Sequence, residues 1–274
     1  MKCYKKNPLK IIKGIPVFAE SDEYTQNYEK ISSDHVEEMK KTGKNPFMKE
    51  ELWKELENDT KNMILEYSSR GKILDAGVGL GRLLSMLPNT YEKYGLDISL
   101  NYLPLAKKKG IEVCYARLED IPYKDNFFDV IVCTDVLEHV LDLNLVCQQL
   151  LSVLKKNGLL IVRVPYKENL VYYLGPKYPY KYVHLRNFDE NSLKLLFEKV
   201  FGCKTLDIKT TGNLVIEDVK QYCYSAKIRN SFCEIFSFTK WIHSSIYEAL
   251  FNFINRTEPT IIKNIDIIFV AKKL

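Results

Sequence analysis

From about residue 70 onward, short continuous apolar runs alternate with helical patterns, and this rhythm sets the fold class. The runs at 72–75, 94–97, 112–115, 128–134 and 159–164 read as strands buried on both faces, with helical segments between most of them. A helix near 190–200, a strand near 204–209 and a closing strand near 266–271 follow. The last two suit an antiparallel pair at the sheet edge. The pattern predicts a doubly wound, Rossmann-like, mostly parallel α/β sheet. Ahead of it, residues 1 to about 20 are strand-like and end in Gly14-Ile15-Pro16-Val17-Phe18. Two helical patterns come next, over 23–41 and from Asn45-Pro46 to about 69. The second places Leu52, Leu56, Met63, Ile64 and Tyr67 near one face. The chain therefore divides into an N-terminal extension over 1–69 and an α/β domain over 70–274.

Between the last two strands lies an insertion of about 212–262, rich in aromatic and apolar residues such as Phe232, Phe236, Trp241, Tyr247, Phe251 and Ile254. A helical pair packed on the core is the simplest expectation for it. A substrate lid, a homodimer surface or a peripheral membrane contact through 232–254 are the sharper ones, the last suggested by Lys227, Arg229, Lys240 and Arg256 nearby.

The most informative local signal is Lys72-Ile73-Leu74-Asp75-Ala76-Gly77-Val78-Gly79-Leu80-Gly81, a buried strand that ends on an acid and breaks into alternating glycines. Asp97, twenty residues beyond Gly77, closes the next strand. Glycines admit a ligand close to the backbone, and an acid one strand later can hold two ribose hydroxyls. Asp75 decides between nucleosides. A carboxylate a few Å from a pyrophosphate repels it by roughly 1–4 kcal/mol per charge pair, depending on the effective dielectric. The same carboxylate favours a cationic ligand. S-adenosylmethionine, with a sulfonium, an ammonium and a ribose but no phosphate, fits better than NAD.

Composition narrows the partners. The 274 residues carry a net charge of +5, but lysines and acids are interleaved and no basic stripe marks a nucleic-acid surface. Seven cysteines without a C-x-x-C pair suggest reduced thiols, and the four histidines do not join them at metal-ligand spacing. No leader-like or membrane-spanning run is present, so a cytoplasmic protein is expected.

These residues together resemble the class I S-adenosylmethionine-dependent methyltransferases, in the small-molecule branch that includes the ubiquinone-biosynthesis-like enzymes (type 11). The resemblance spans about 70–200 plus the closing strand. It rests on the loop 75–82, on Asp97 and on Arg117-Leu118-Glu119-Asp120-Ile121-Pro122-Tyr123 with Asn126-Phe127-Phe128-Asp129. It rests also on Cys133-Thr134-Asp135-Val136-Leu137-Glu138-His139-Val140 and on Leu154-Lys155-Lys156-Asn157-Gly158.

It implies a seven-stranded sheet with an antiparallel last strand, an N-terminal helical lid, and methyl transfer to an oxygen or nitrogen of a small molecule. A sugar, a lipid-linked intermediate and a secondary metabolite are all candidates. Gly77, Gly79 and Gly81 would line the cofactor, Asp75 would face its ammonium, and Asp97, followed by Ile98, would take the ribose hydroxyls. The backbone N–H of Leu118 would read the adenine, and Thr134 would lie under the sulfonium. Arg117 departs from the pattern, standing where an acid usually meets the adenine amino group. His139 and His184 are candidate general bases. Tyr24, Tyr28, Tyr166, Tyr182 and Arg186 are candidate acceptor contacts. Gly14–Phe18 also resembles the tail of a zinc-ribbon module, but with Cys3 alone upstream no zinc, and no metal, is expected.

Two other readings compete. An RNA or protein methyltransferase is disfavoured by Thr134-Asp135-Val136-Leu137 in place of an N-P-P-Y-type motif. A non-catalytic subunit that merely keeps the fold is disfavoured by the intact glycine loop and Asp97.

Overall fold

The computed structural model describes residues 3–175, 178–216 and 261–274, apart from the side chains of 172, 213–216 and 261–263. The described residues 3–175, 178–212 and 265–274 form one compact unit, and 213–216 and 261–264 fall outside it. Most of the insertion expected over 212–262, including the aromatic stretch 232–254, lies outside the described residues.

The strands are β1 (Lys10–Ile12), β2 (Ile15–Val17), β3 (Gly71–Ala76), β4 (Tyr91–Asp97), β5 (Glu112–Tyr115), β6 (Phe128–Thr134), β7 (Leu154–Pro165), β8 (Lys204–Ile216) and β9 (Ile261–Lys272). They order as β1-β2-β5-β4-β3-β6-β7-β9-β8. The expected seven, β3–β9, are present, and an N-terminal hairpin adds two more. Lys13 and Gly14 turn that hairpin at φ +50° and +71°. Val17 then pairs in parallel with Tyr115, so the strand-like segment extends the sheet. β9 runs antiparallel to β7, Leu159 opposite Lys272 and Pro165 opposite Asp266.

Alternation along the strands feeds two cores, one on each face. Leu74, Ile131, Val162 and Phe269 point one way, and Ile73, Val130, Ile161 and Val270 the other.

Helix α1 (Glu23–Thr42) begins at a capping box. Asp22 Oδ1 accepts from Thr25 N at 2.8 Å, and Thr25 Oγ1 accepts from Asp22 N at 2.9 Å. It ends at Gly43, φ +71°. Helix α2 (Glu50–Tyr67) starts four residues later than the Asn45-Pro46 signal suggests, because Asn45 Oδ1 accepts from Phe47 N at 2.9 Å and draws 45–47 into a turn. The short α3 (Arg82–Ser85) and α4 (Leu103–Lys107) follow β3 and β4, and α5 (Leu143–Val153) joins β6 to β7. The helix expected at 190–200 is α6 (Glu190–Lys194), which widens into a π-helical turn over Leu195–Val200.

The chain leaves β3 toward β4 and β5 on one side and returns to β6 and β7 on the other. That reversal makes the carboxyl ends of β3 and β6 the topological switch point of the sheet, where open α/β sheets bind their ligands. No helix among the described residues is long and apolar enough to cross a membrane.

Candidate functional site

At the end of β3 the backbone turns through Gly77, Gly79 and Gly81 at φ +104°, +47° and +68°. Two of these positions exclude any side chain. A Cβ at Gly77 would stand 2.3 Å from Val136 Cγ2, and one at Gly81 would stand 2.6 Å from Ile111 Cδ1. Gly79 differs, because no described atom lies within 4 Å of its Cβ position, so it faces open space. Gly77 N and Val78 N donate to Leu96 O at 2.8 and 3.0 Å and pin the loop to β4.

Asp97 braces the same loop. Its Oδ2 accepts from Gly79 N at 2.8 Å and its Oδ1 from Ser99 N at 2.9 Å. Helix α4 begins only at Leu103, so Asp97 is not its N-cap. Burial raises its pKa to about 6, partly offset by those two N–H donors. Asp75 is 3% exposed, and its Oδ1 has no hydrogen-bond partner among the described residues. Burial first, and the Asp97 charge second, push it to about 7. A buried carboxylate oxygen left unpaired is costly, and a cationic group placed there would relieve the penalty. Ile98 and Thr134 border this region half-buried, and Leu118 is buried at the start of a single 3-10 turn, Leu118–Asp120.

Helix α1 covers this end of the sheet. Glu29 Oε1 accepts from Leu100 N at 2.7 Å, and its Oε2 accepts from Ser99 Oγ at 2.9 Å and Asn101 Nδ2 at 2.8 Å. Arg117 pairs with Asp22 at the helix cap and with Glu119 at 3.3 Å, and its guanidinium lies 4.9 Å from the centre of the Tyr24 ring. The arginine that breaks the family pattern is therefore a clamp between the β5 loop and α1. Asn27 accepts from Lys181 N and Tyr182 N at 3.0 and 3.2 Å and donates to Tyr182 O at 2.9 Å. Tyr24 packs against Tyr28 and Tyr182, with ring centroids 4.9 and 5.3 Å apart.

Beyond β6 the turn Val136–Val140 meets the segment 182–188. The ring centroids of His139 and His184 are 4.4 Å apart, edge to face, and Tyr28 lies 5.6 Å from His139. His184 Nδ1 binds the Glu168 carboxylate and also the Tyr173 hydroxyl at 3.1 Å. Glu138 is fully buried, and neither of its carboxylate oxygens has a hydrogen-bond partner among the described residues. Burial, and then Asp135, hold its pKa well above the carboxylate range. Burial lowers His139 to about 3, helped by His184. Because Val136 packs against Gly77, this turn adjoins the glycine loop.

A methyltransferase-domain family profile matches residues 74–162, from the glycine loop through Asp97 and His139 to β7. The chain belongs to the class I S-adenosylmethionine-dependent methyltransferases. A Methanocaldococcus jannaschii protein of uncharacterized function is 34% identical over 153 residues, 55% of this chain and 67% of that protein. The tRNA (carboxymethyluridine(34)-5-O)-methyltransferase of Arabidopsis thaliana is 33% identical over 95 residues, 34% of this chain. The match spans only 23% of that enzyme. A Thermotoga maritima crystal structure described as a SAM-dependent methyltransferase covers 92% of this chain and all of its own at TM-score 0.55 and 17% identity, which establishes the fold. The cofactor of this methyltransferase is S-adenosylmethionine.

Several sequence-predicted contacts are already committed to partners within the chain. Arg186, a candidate acceptor contact, donates to Leu137 O and Val140 O at 2.8 and 2.5 Å and stitches the two loops together. The Tyr166 hydroxyl is committed to Glu190 at 2.8 Å, and that of Tyr182 to Glu23 at 3.3 Å. Four residues went unassigned in the sequence reading: Glu29, Glu138, Glu168 and Arg163. Arg163 is 2% exposed near the carboxyl end of β7 and holds Asp135, Asp266 (3.2 Å) and Thr60 (3.1 Å). A charge inside the apolar run 159–164 was the available signal for it. Glu138, beside His139, had a similar signal.

Proposed function

We propose that this methyltransferase alkylates an oxygen of a small molecule held between α1, the 166–188 segment and the turn after β6. The observation that supports this is the pairing of His139 with a carboxylate-oriented His184 in a turn whose Val136 lies against Gly77. Bound S-adenosylmethionine supplies an electrophilic methyl carbon, to which an acceptor lone pair bonds as the C–S pair returns to sulfur.

The protein's part is to hold and to deprotonate. Asp75 would face the ammonium with its unpaired oxygen, and Asp97 would offer its remaining lone pairs to the ribose hydroxyls. Gly79 leaves room for the ligand beside the loop, and Thr134 stands at the end of β6. Helix α1, fastened by Glu29 and Arg117, excludes water so that the reactants stay close and collinear. The His139–His184 pair, with His184 oriented by Glu168, marks where the acceptor hydroxyl loses its proton. His139, its pKa lowered to about 3 by burial, stays neutral at physiological pH.

The test is a methyl-transfer screen against sugars, phenols and lipid-linked alcohols, with tRNA and protein as parallel acceptors. Transfer to a hydroxyl, with His184→Ala cutting turnover by about 100-fold and leaving cofactor affinity unchanged, is the expected result. Label appearing only in RNA or protein would refute the small-molecule assignment.

A further inference from the structure

We propose that Glu138, His139 and His184 form the binding site of one divalent first-row cation, and that this cation holds the acceptor oxygen. The site comes from two places in the chain: the turn after β6 gives adjacent ligands, and a loop 45 residues later gives the third. That is why no spacing motif announces it. One ligand atom from each residue lies within 4.8 Å of the others. Glu138 Oε1 stands 3.7 Å from His139 Nε2. Metal–ligand bonds of about 2.0–2.2 Å require these atoms to close by roughly 1 Å, within the reach of small side-chain rotations.

Three features point to a cation rather than a packed polar core. Glu138 is completely buried, yet neither oxygen has a partner among the described residues, a state that native interiors avoid. The charges of Asp135, Asp266 and Glu168 all oppose its ionisation, and the buried Arg163 is already engaged by Asp135 and Asp266. The third feature is the orientation of His184. Its Nδ1 is tied to the Glu168 carboxylate, which leaves the Nε2 lone pair to bind a metal, the arrangement that supports metal-bound imidazoles. The Tyr28 and Tyr173 rings wall the cluster.

One carboxylate and two imidazoles suit Mn²⁺, Fe²⁺, Co²⁺ or Zn²⁺ better than Mg²⁺ or Ca²⁺. With three protein ligands, coordination positions remain for one or two acceptor oxygens, which favours a vicinal diol, a catechol or a hydroxy acid. This acceptor role rests on the methyltransferase reading above, whereas ion binding does not. With the cation in place His184 is a ligand and not the base. The metal lowers the pKa of the bound hydroxyl, its proton leaves to water, and the oxygen lone pair forms the new O–C bond.

The experiment is titration of chelator-treated full-length protein with Mn²⁺, following the free-ion electron paramagnetic resonance signal, with S-adenosylhomocysteine binding measured on the same samples. The expected result is one saturable equivalent. Glu138→Gln and His184→Ala should each weaken binding by more than about 10-fold, and Glu168→Ala by about 10–100-fold. S-adenosylhomocysteine affinity should change less than about 2-fold in His184→Ala and Glu168→Ala, which shows that these variants are folded whether or not the buried Glu138→Gln is. Absence of a bound equivalent, or wild-type affinity in His184→Ala, overturns the site. Methyl transfer that survives chelation but is lost in His184→Ala overturns the cation's role and leaves the enzyme assignment standing. One bound Mn²⁺ without transfer to any hydroxyl acceptor upholds the site and sinks the acceptor reading instead.

Discussion

Asp75→Asn should make the protein more stable and less able to bind its cofactor, and the gain in stability should depend on pH. In the folded chain Asp75 titrates near 7 rather than at 3.8, because burial and the Asp97 charge disfavour its anion. Between those two pH values the folded state binds a proton that the unfolded state has released, so this group's contribution to stability falls as pH rises. A shift of this size corresponds to ~4 kcal/mol of destabilisation, fully expressed above pH 7 and absent below about pH 4. Asparagine matches the protonated carboxyl in shape and carries no charge. The variant should therefore melt roughly 8–16 °C above the wild type at pH 8, at about 2–4 °C per kcal/mol for a chain of this size, and within about 4 °C of it at pH 4.5. Loss of the Asp75 charge should also let Asp97 ionise more easily.

The same carboxylate gives cofactor binding a proton signature. Pairing an ammonium with Asp75 lowers its pKa, so binding near pH 6.5 should release a fraction of a proton. Calorimetric titrations in phosphate and in Tris should then differ in apparent enthalpy. Asp75→Asn should abolish that difference and weaken the affinity by about 10–100-fold, the worth of a charge-assisted hydrogen bond. Equal melting temperatures at pH 8, or a gain that is the same at pH 4.5, would refute the claim that an uncompensated Asp75 charge waits for a cation.

Gly77→Ala sets a Cβ 2.3 Å from Val136 Cγ2 at φ +104° and should cost about 2–4 kcal/mol in denaturant melts, with Val136→Ala restoring only the steric part. Gly79→Ala, with open space beside it and a φ of +47°, should fold with about 1 kcal/mol lost and fail instead in cofactor titration. Asp97→Ala frees Gly79 N and Ser99 N and should weaken S-adenosylmethionine binding by at least about 10-fold; calorimetry showing no loss would remove Asp97 from the ribose site. Arg117→Ala should leave global stability within about 1–2 kcal/mol of wild type but speed limited proteolysis within α1, because Asp22, Glu119 and Tyr24 lose their shared partner.

The contrast between what the sequence announces and what it hides follows from how each part is encoded. The strands were legible because they are buried on both faces and leave apolar runs with no competing period. The glycine loop was legible because φ values such as +104° at Gly77 admit little else. Asp75 was legible because an acid at the end of such a run contradicts its surroundings. The hairpin of β1 and β2 could be read as strand-like, but its seat in the sheet depends on one parallel pairing, Val17 with Tyr115, made across 98 residues. No local pattern carries a partner so distant.

The acceptor end was hidden for a related reason. His139 and His184 each looked like a lone histidine, and what unites them is a tertiary contact between the turn after β6 and the loop after β7. Arg186 shows the same effect in reverse. The sequence offers Arg186 as an acceptor contact, and its donors meet carbonyls that only the folded turn presents. Cofactor chemistry in this fold is thus written along one strand–loop–strand unit. Acceptor chemistry is written across loops, and a reading of the acceptor must start from Glu138, whose buried carboxylate has no partner on either oxygen among the described residues.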